Sequence, residues 1–319
     1  MYGNFSSDSY PYAGMFSFIF VGFLLKKRNI LPETAASVLS RCENYVFVPS
    51  LILETFINYC RIDALVQNYS LILYCLILLT IGLVIALPLS GKLSGRQSAV
   101  TSDRRYSKNI YKYALTFANF SFMGNSIVLG VLGNEGLFDY LLFTLPLNIA
   151  VYTWGILILI PENAGKKSLL HSMVNPVFIA IVSGIILGIA NVGDILPVFV
   201  MNTLADAKEC MGPVAMLLTG FVIGGYNLRR LFLKKRVYIA SIMRLVVIPA
   251  VMFVFLDVIG ADNRIKTLAL FAYATPLGLN TVVFPAAYGV NPETGASMAM
   301  ISHILSVITI PLMYLIFVA

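Results

Sequence analysis

The chain has 319 residues, of which 59% are hydrophobic and 12% charged, with a formal net charge of +7. A soluble domain carries about 25% charged residues. Half that share, together with a mean hydropathy of +0.85, excludes an ordinary water-soluble fold.

Apolar runs near 20 residues recur along the chain and do not alternate, so they predict an all-α polytopic membrane protein rather than a β-barrel. Ten spans are predicted, at 10–26, 33–58, 69–90, 109–132, 136–160, 175–192, 196–226, 236–259, 266–285 and 294–318. Residues 1–10 lack a basic segment and the first run ends in Lys26-Lys27-Arg28. That pattern predicts a first spanning helix, not a cleaved leader. Span 2 carries Glu54 near its outer end, a surface or inter-domain group or a carrier of protons. Arg41 and Glu43 lie near the other end, where long side chains snorkel to the interface. Of the four cysteines, Cys42, Cys75 and Cys210 fall in or near apolar stretches and are read as small packing residues; with Cys60 they show no metal spacing.

Span 4 reads Leu115-Thr116-Phe117-Ala118-Asn119-Phe120-Ser121-Phe122-Met123-Gly124-Asn125-Ser126. Its glycine, amides and hydroxyls suit a broken helix, which survives at membrane depth only when buried or lining a wet cavity. Span 5 brings Asn148 and, one turn on, Tyr152. A short polar linker at 161–174 then divides the chain into residues 1–164 and 165–319, five spans each. In the second half, Arg244 lies near a span end and is read as structural. Span 9 reads Tyr273-Ala274-Thr275-Pro276-Leu277-Gly278-Leu279-Asn280-Thr281, then Pro285, a second broken helix. His303 lies about a third of the way into span 10 and is a candidate to couple transport to protons.

Basic residues gather in the odd-numbered connections: Lys26, Lys27 and Arg28; Lys92, Arg96, Arg104, Arg105, Lys108 and Lys112; Lys166 and Lys167; Arg229, Arg230, Lys234, Lys235 and Arg236. The even-numbered connections are assigned only Arg61, Lys208, Arg264 and Lys266. The positive-inside rule then places both termini outside the cytoplasm, in a multi-pass protein of the cell membrane. The positive charge orients the chain against anionic lipid headgroups. Nucleic acid is not an expected partner, because aromatic–basic platforms are missing.

Two signatures occur twice. Ile30-Leu31-Pro32 precedes Pro49 as Ile195-Leu196-Pro197 precedes Pro213, and Asn125 to Gly130 has its counterpart in Asn280 to Pro285. Five spans per half is odd, so the halves enter the membrane from opposite sides as inverted repeats. Two broken helices at equivalent places would cross near the midplane. Their half-helix N-termini, each about +0.5 of a charge, would seat a carboxylate. Asn119, Asn125, Ser126, Asn148, Asn280 and Thr281 are the expected binding side chains, with Asn125 and Asn280 close together. Helix regularity should fail within about three residues of those two. No Lys or Arg falls near this place in the sequence pattern, so dipoles and amides are expected to hold the anion. No cofactor or metal is expected.

The chain resembles the auxin efflux carrier family, including its bacterial members. The resemblance rests on Phe117-Ala118-Asn119 through Gly124, Gly133-Asn134-Glu135-Gly136-Leu137, Asn175-Pro176-Val177, Gly212-Pro213 with Gly224-Gly225, Arg244 with Pro249, Ala274 through Asn280, Tyr288-Gly289 and Ile310-Pro311. It covers essentially the whole chain. It implies ten helices in two inverted five-helix repeats, with helices 4 and 9 broken at a crossover. It also implies a scaffold of helices 1, 2, 6 and 7, a moving transport part of helices 3–5 and 8–10, and a homodimer through the scaffold. Relatives carry small organic anions such as auxin, malonate or malate, by an elevator-type movement. One departure stands out: the family has proline two residues after the crossover glycine of helix 4, where this chain has Ser126, so the kink is expected to rest on Gly124, Asn125 and Ser126. A channel or an anion-binding sensor on the same fold are the alternatives. An intramembrane enzyme is not expected, since HExxH, GxSxG and paired intramembrane aspartates are lacking.

Overall fold

A computed structural model describes residues 10–94, 101–159, 175–226, 235–282 and 293–318. These are helical, with elements α1 (Tyr10–Lys27), α2 (Ala35–Cys42), α3 (Val48–Tyr59), α4 (Ile62–Ser94), α5 (Thr101–Thr116), α6 (Asn125–Phe143), α7 (Leu145–Ala150), α8 (Ile156–Leu159), α9 (Pro176–Ile189), α10 (Val198–Gly224), α11 (Lys235–Ile242), α12 (Ile248–Val258), α13 (Asn263–Tyr273) and α14 (Glu293–Phe317). Among the described residues, five helical stretches are long and apolar enough to cross a membrane: Ile62–Ser94, Tyr106–Phe143, Val198–Gly224, Lys235–Val258 and Glu293–Phe317. The linker at 161–174, the loop arginines 229 and 230, Pro285 and Tyr288-Gly289 lie outside the described residues.

Local chemistry explains several boundaries. Asn175 caps α9, its side chain accepting from the Phe178 N–H at 2.8 Å, and Pro176 follows where a missing N–H is harmless. Asp262 caps α13 in the same way through the Ile265 N–H. Two wide π-helical turns, Glu43–Phe47 and Met243–Val247, join α2 to α3 and α11 to α12. Each lies just before a proline, Pro49 or Pro249, near the start of the next helix. A proline lacks the N–H that would bond the carbonyl four residues back, so the helix accommodates it by widening one turn. The run from 125 to 143 breaks at Gly133, whose φ of 67° favours glycine.

The helices cluster into two compact units, each drawn from both halves of the sequence. The first contains residues 1–72, 121–145 and 173–225; the second contains 73–120, 146–172 and 226–319. In the first unit, α1 packs on α10 and α3 on α9 through glycines that let backbones approach closely. A Cβ on Gly22 would stand 2.0 Å from the Leu217 carbonyl oxygen, and one on Gly220 would stand 1.8 Å from that of Ile19. Gly188 meets the Phe56 carbonyl at 2.3 Å by the same measure. Gly184/Gly188 and Gly220/Gly224 are each spaced as GxxxG, the small-residue spacing of close helix pairs in membranes. Phe138 packs edge-on against Phe56 in this core.

The second unit has an aromatic centre. Tyr113, Phe117 and Trp154 pack in series, with ring centroids 5.0 and 5.8 Å apart. Tyr273 donates to the Cys75 carbonyl at 3.3 Å, tying α13 to α4. Cys60 and Cys75 are buried packing residues, whereas Cys210 is exposed, contrary to its reading as a packing residue.

Candidate functional site

Two helix interruptions meet inside the second unit. The main chain leaves helical geometry at Phe117–Asn119 and again at residues 274–279. The Asn119 N–H donates to the Pro276 carbonyl at 2.7 Å, so one break satisfies the other. The Leu277 N–H donates to Ser302 Oγ on α14 at 3.0 Å. The first interruption therefore begins at 117–119 and runs through the wide turn Phe120–Gly124 up to Asn125. No local proline or glycine forces its start there; its donor is held by the opposite break.

Buried polar groups surround this junction. Asn280 Nδ2 donates to the Tyr113 hydroxyl at 2.7 Å. Thr281 Oγ1 donates to the Gly278 carbonyl at 3.3 Å. Among the described residues, Asn119 Nδ2, Thr116 Oγ1 and Thr275 Oγ1 are buried without a hydrogen-bond partner. Leaving such a group unsatisfied costs roughly 1–3 kcal/mol, so the junction holds donors able to serve a polar ligand. Asn148 is buried on α7 of the same unit. His303 is buried on α14, with Nδ1 2.7 Å from the Ala299 carbonyl and Nε2 unpartnered.

Asn125, Ser126 and Glu54 belong to the first unit. Asn125 and Ser126 open α6, directly after the wide turn Phe120–Gly124, and both are buried. Ser126 Oγ donates to the Phe122 carbonyl at 2.8 Å and lies 3.6 Å from Met211 Sδ. Beside it is a cavity of about 300 Å³ lined by residues of α1, α6 and α10, among them Phe18, Ser126, Leu129, Lys208 and Met211.

Lys208 was assigned to a connection, but it lies within α10 and is only 5% exposed. Its ammonium donates to Glu54 Oε2 and to Asn134 Oδ1, both at 2.8 Å. Asn58 Nδ2 donates to the other Glu54 oxygen at 3.0 Å. Glu54 is thus a buried member of a four-residue network, with Lys208 buried beside it and Asn58 and Asn134 exposed, rather than a surface group.

Glu43 and Arg244 do not snorkel. They are 0% and 2% exposed, whereas Arg41 is exposed. Neither the Glu43 carboxylate nor the Arg244 guanidinium has a hydrogen-bond partner among the described residues. The expectation that no cation stands near the site residues fails at Ser126, where Lys208 borders the adjoining cavity. Among the described residues, no three His, Cys, Asp or Glu side chains group as a metal ligand set.

The family model described as Membrane transport protein matches residues 10–168 and 160–314. A protein of Methanocaldococcus jannaschii described as an uncharacterized transporter is 25% identical over 301 residues, covering 92% of this chain and 94% of its own.

Proposed function

Because the chain belongs to the membrane transport protein family, we propose that it is a secondary carrier of a small organic anion, either auxin-like or a dicarboxylate. The observation that carries this reading is the hydrogen bond between two helix interruptions, one inside each stretch matched by the family model. Broken helices expose main-chain donors and partial positive charge, and Lys208 borders the cavity beside Ser126. Asn119, Asn125, Ser126, Asn148, Asn280 and Thr281 supply the side-chain donors for the anion.

In this reading the chain spans the cell membrane ten times, as two inverted five-helix repeats with both termini extracytoplasmic. Helices 4 and 9 cross at the site. Helices 3–5 and 8–10 move against a scaffold of helices 1, 2, 6 and 7, through which two copies pair. Glu54 and His303 are the groups able to carry protons. His303→Gln measures the histidine's share: a pH–rate profile shifted from wild type assigns coupling to it, and an overlay leaves it as packing.

Asn280→Ala tests the site. A hydrogen bond to an ionised group is worth roughly 1.5–3 kcal/mol, and about 1.4 kcal/mol is tenfold in affinity. The variant is expected to bind small carboxylates about tenfold or more weakly while remaining folded. Wild-type affinity in the folded variant removes Asn280 from the site.

A further inference from the structure

Lys208 keeps one donor uncommitted. An ammonium carries three N–H groups, and two of them go to Glu54 and Asn134. The same residue lines the cavity of about 300 Å³, whose wall is otherwise largely apolar, with Phe18, Leu129 and Met211, polar at Ser126 and acidic at Glu209, the residue after Lys208. That volume falls in the range of small-ligand sites, which combine an apolar wall with a few placed polar groups. A carboxylate with an apolar body matches it: the head to the third N–H of Lys208, the body to the wall.

Such a ligand brings a second negative charge to one ammonium. Glu54 is 8% exposed, and a buried carboxylate that must share its partner neutralises by protonation. The elements packed against α10 also carry Arg41 and Glu43 on the α2–α3 span, Glu135 and Asp139 on α6, and Lys26 and Lys27 at the end of α1; α10 itself adds Asp206 and Glu209. Of these and Glu54, only Glu54 is shown bonded to the ammonium. Glu43, eleven residues earlier, lies about 16 Å away along a helix.

We infer that this cavity is a carboxylate site in which the ligand shares the Lys208 ammonium with Glu54 while Glu54 takes up one proton from water, so that the anion enters with its charge cancelled. The binding step stands by itself. Its consequence, one proton moved with each anion, rests on the carrier reading.

Calorimetry of benzoate binding to the purified full-length protein tests this, in buffers of different ionisation enthalpy. Between about pH 6 and pH 8 a benzoate carboxylate stays ionised, so any proton taken up comes from a protein group. The expected result is proton uptake on binding, up to one proton per benzoate and largest toward the lower end of that range. Affinity should weaken by up to about tenfold per pH unit as pH rises. Glu54→Gln, which keeps a hydrogen-bonding side chain, should bind benzoate with no proton uptake and a flat profile. Glu43→Gln should behave as wild type. Binding without proton uptake in the wild type overturns the inference, as does uptake that persists in Glu54→Gln or is lost in Glu43→Gln. Absence of benzoate binding overturns it too. If Glu54→Gln does not fold, the wild-type proton count decides alone. The carrier reading fails separately, if no anion shows counterflow.

Discussion

Replacing Lys208 with methionine is expected to destabilise the protein by roughly 3–5 kcal/mol, the usual effect of removing one partner of a buried ion pair. Lys208 and Glu54 are both buried, and their contact at 2.8 Å joins α10 to α3. The ammonium also holds Asn134, the residue after the Gly133 break. Its loss leaves a carboxylate with only Asn58 to satisfy it. Glu54→Leu should be costly for the converse reason. The double variant Lys208→Met/Glu54→Leu should recover much of the loss, because neither charge is then left alone. Unfolding in detergent, followed by denaturant titration, gives the double-mutant cycle. Single variants within about 0.5 kcal/mol of wild type would contradict a buried, mutually dependent pair.

The second large effect is expected where α1 meets α10. A Cβ at Gly220 would lie 1.8 Å from the Ile19 oxygen, 2.7 Å from its carbonyl carbon and 2.9 Å from the Phe23 nitrogen. All three are main-chain atoms, so no side-chain rotation relieves the clash and the helices must separate. Overpacking a core typically costs about 1–3 kcal/mol, occasionally more, and Gly220→Val belongs at or above the top of that range. Gly22→Ala should also destabilise, since its new carbon would stand 2.0 Å from the Leu217 oxygen. Gly14→Ala on the same helix meets nothing within 4 Å and is the matched control. Thermal unfolding of the three variants in one detergent reads the difference. Equal midpoints for Gly14→Ala and Gly220→Val would show that the helices do not touch at Gly220.

Hydropathy located the helices well because it measures the same apolar surface that the bilayer selects. The predicted span 196–226 is α10 at Val198–Gly224, and 236–259 becomes α11 through α12, ending at Val258. Pro276 marked the second interruption, since a missing N–H is a local property. The start of the first interruption, at 117–119, is not legible because its cause is not local: Asn119 is held by a carbonyl in the other half of the chain. The same limit hid the ion pair, whose partners are 154 residues apart. Lys208 falls inside the predicted span 196–226, and its polar neighbours Asp206 and Glu209 give no local sign of burial. The close helix crossings, by contrast, were legible and overlooked: Gly184/Gly188 and Gly220/Gly224 carry the spacing that backbone contact requires. The burial of Glu43 and Arg244 follows from wide turns before Pro49 and Pro249 together with the helices packed around them, and only the prolines could be read in advance.

Counterflow in proteoliposomes tests the central claim most directly. Vesicles holding the purified protein are loaded with an unlabelled small carboxylate and diluted into a trace of the radiolabelled form, across a panel of monocarboxylates and dicarboxylates. A carrier predicts transient accumulation of label for at least one member, slowed in Asn280→Ala. Saturable binding with no counterflow for any member would make the protein a sensor, and anion currents beyond carrier rates would make it a channel. Either result would contradict the account.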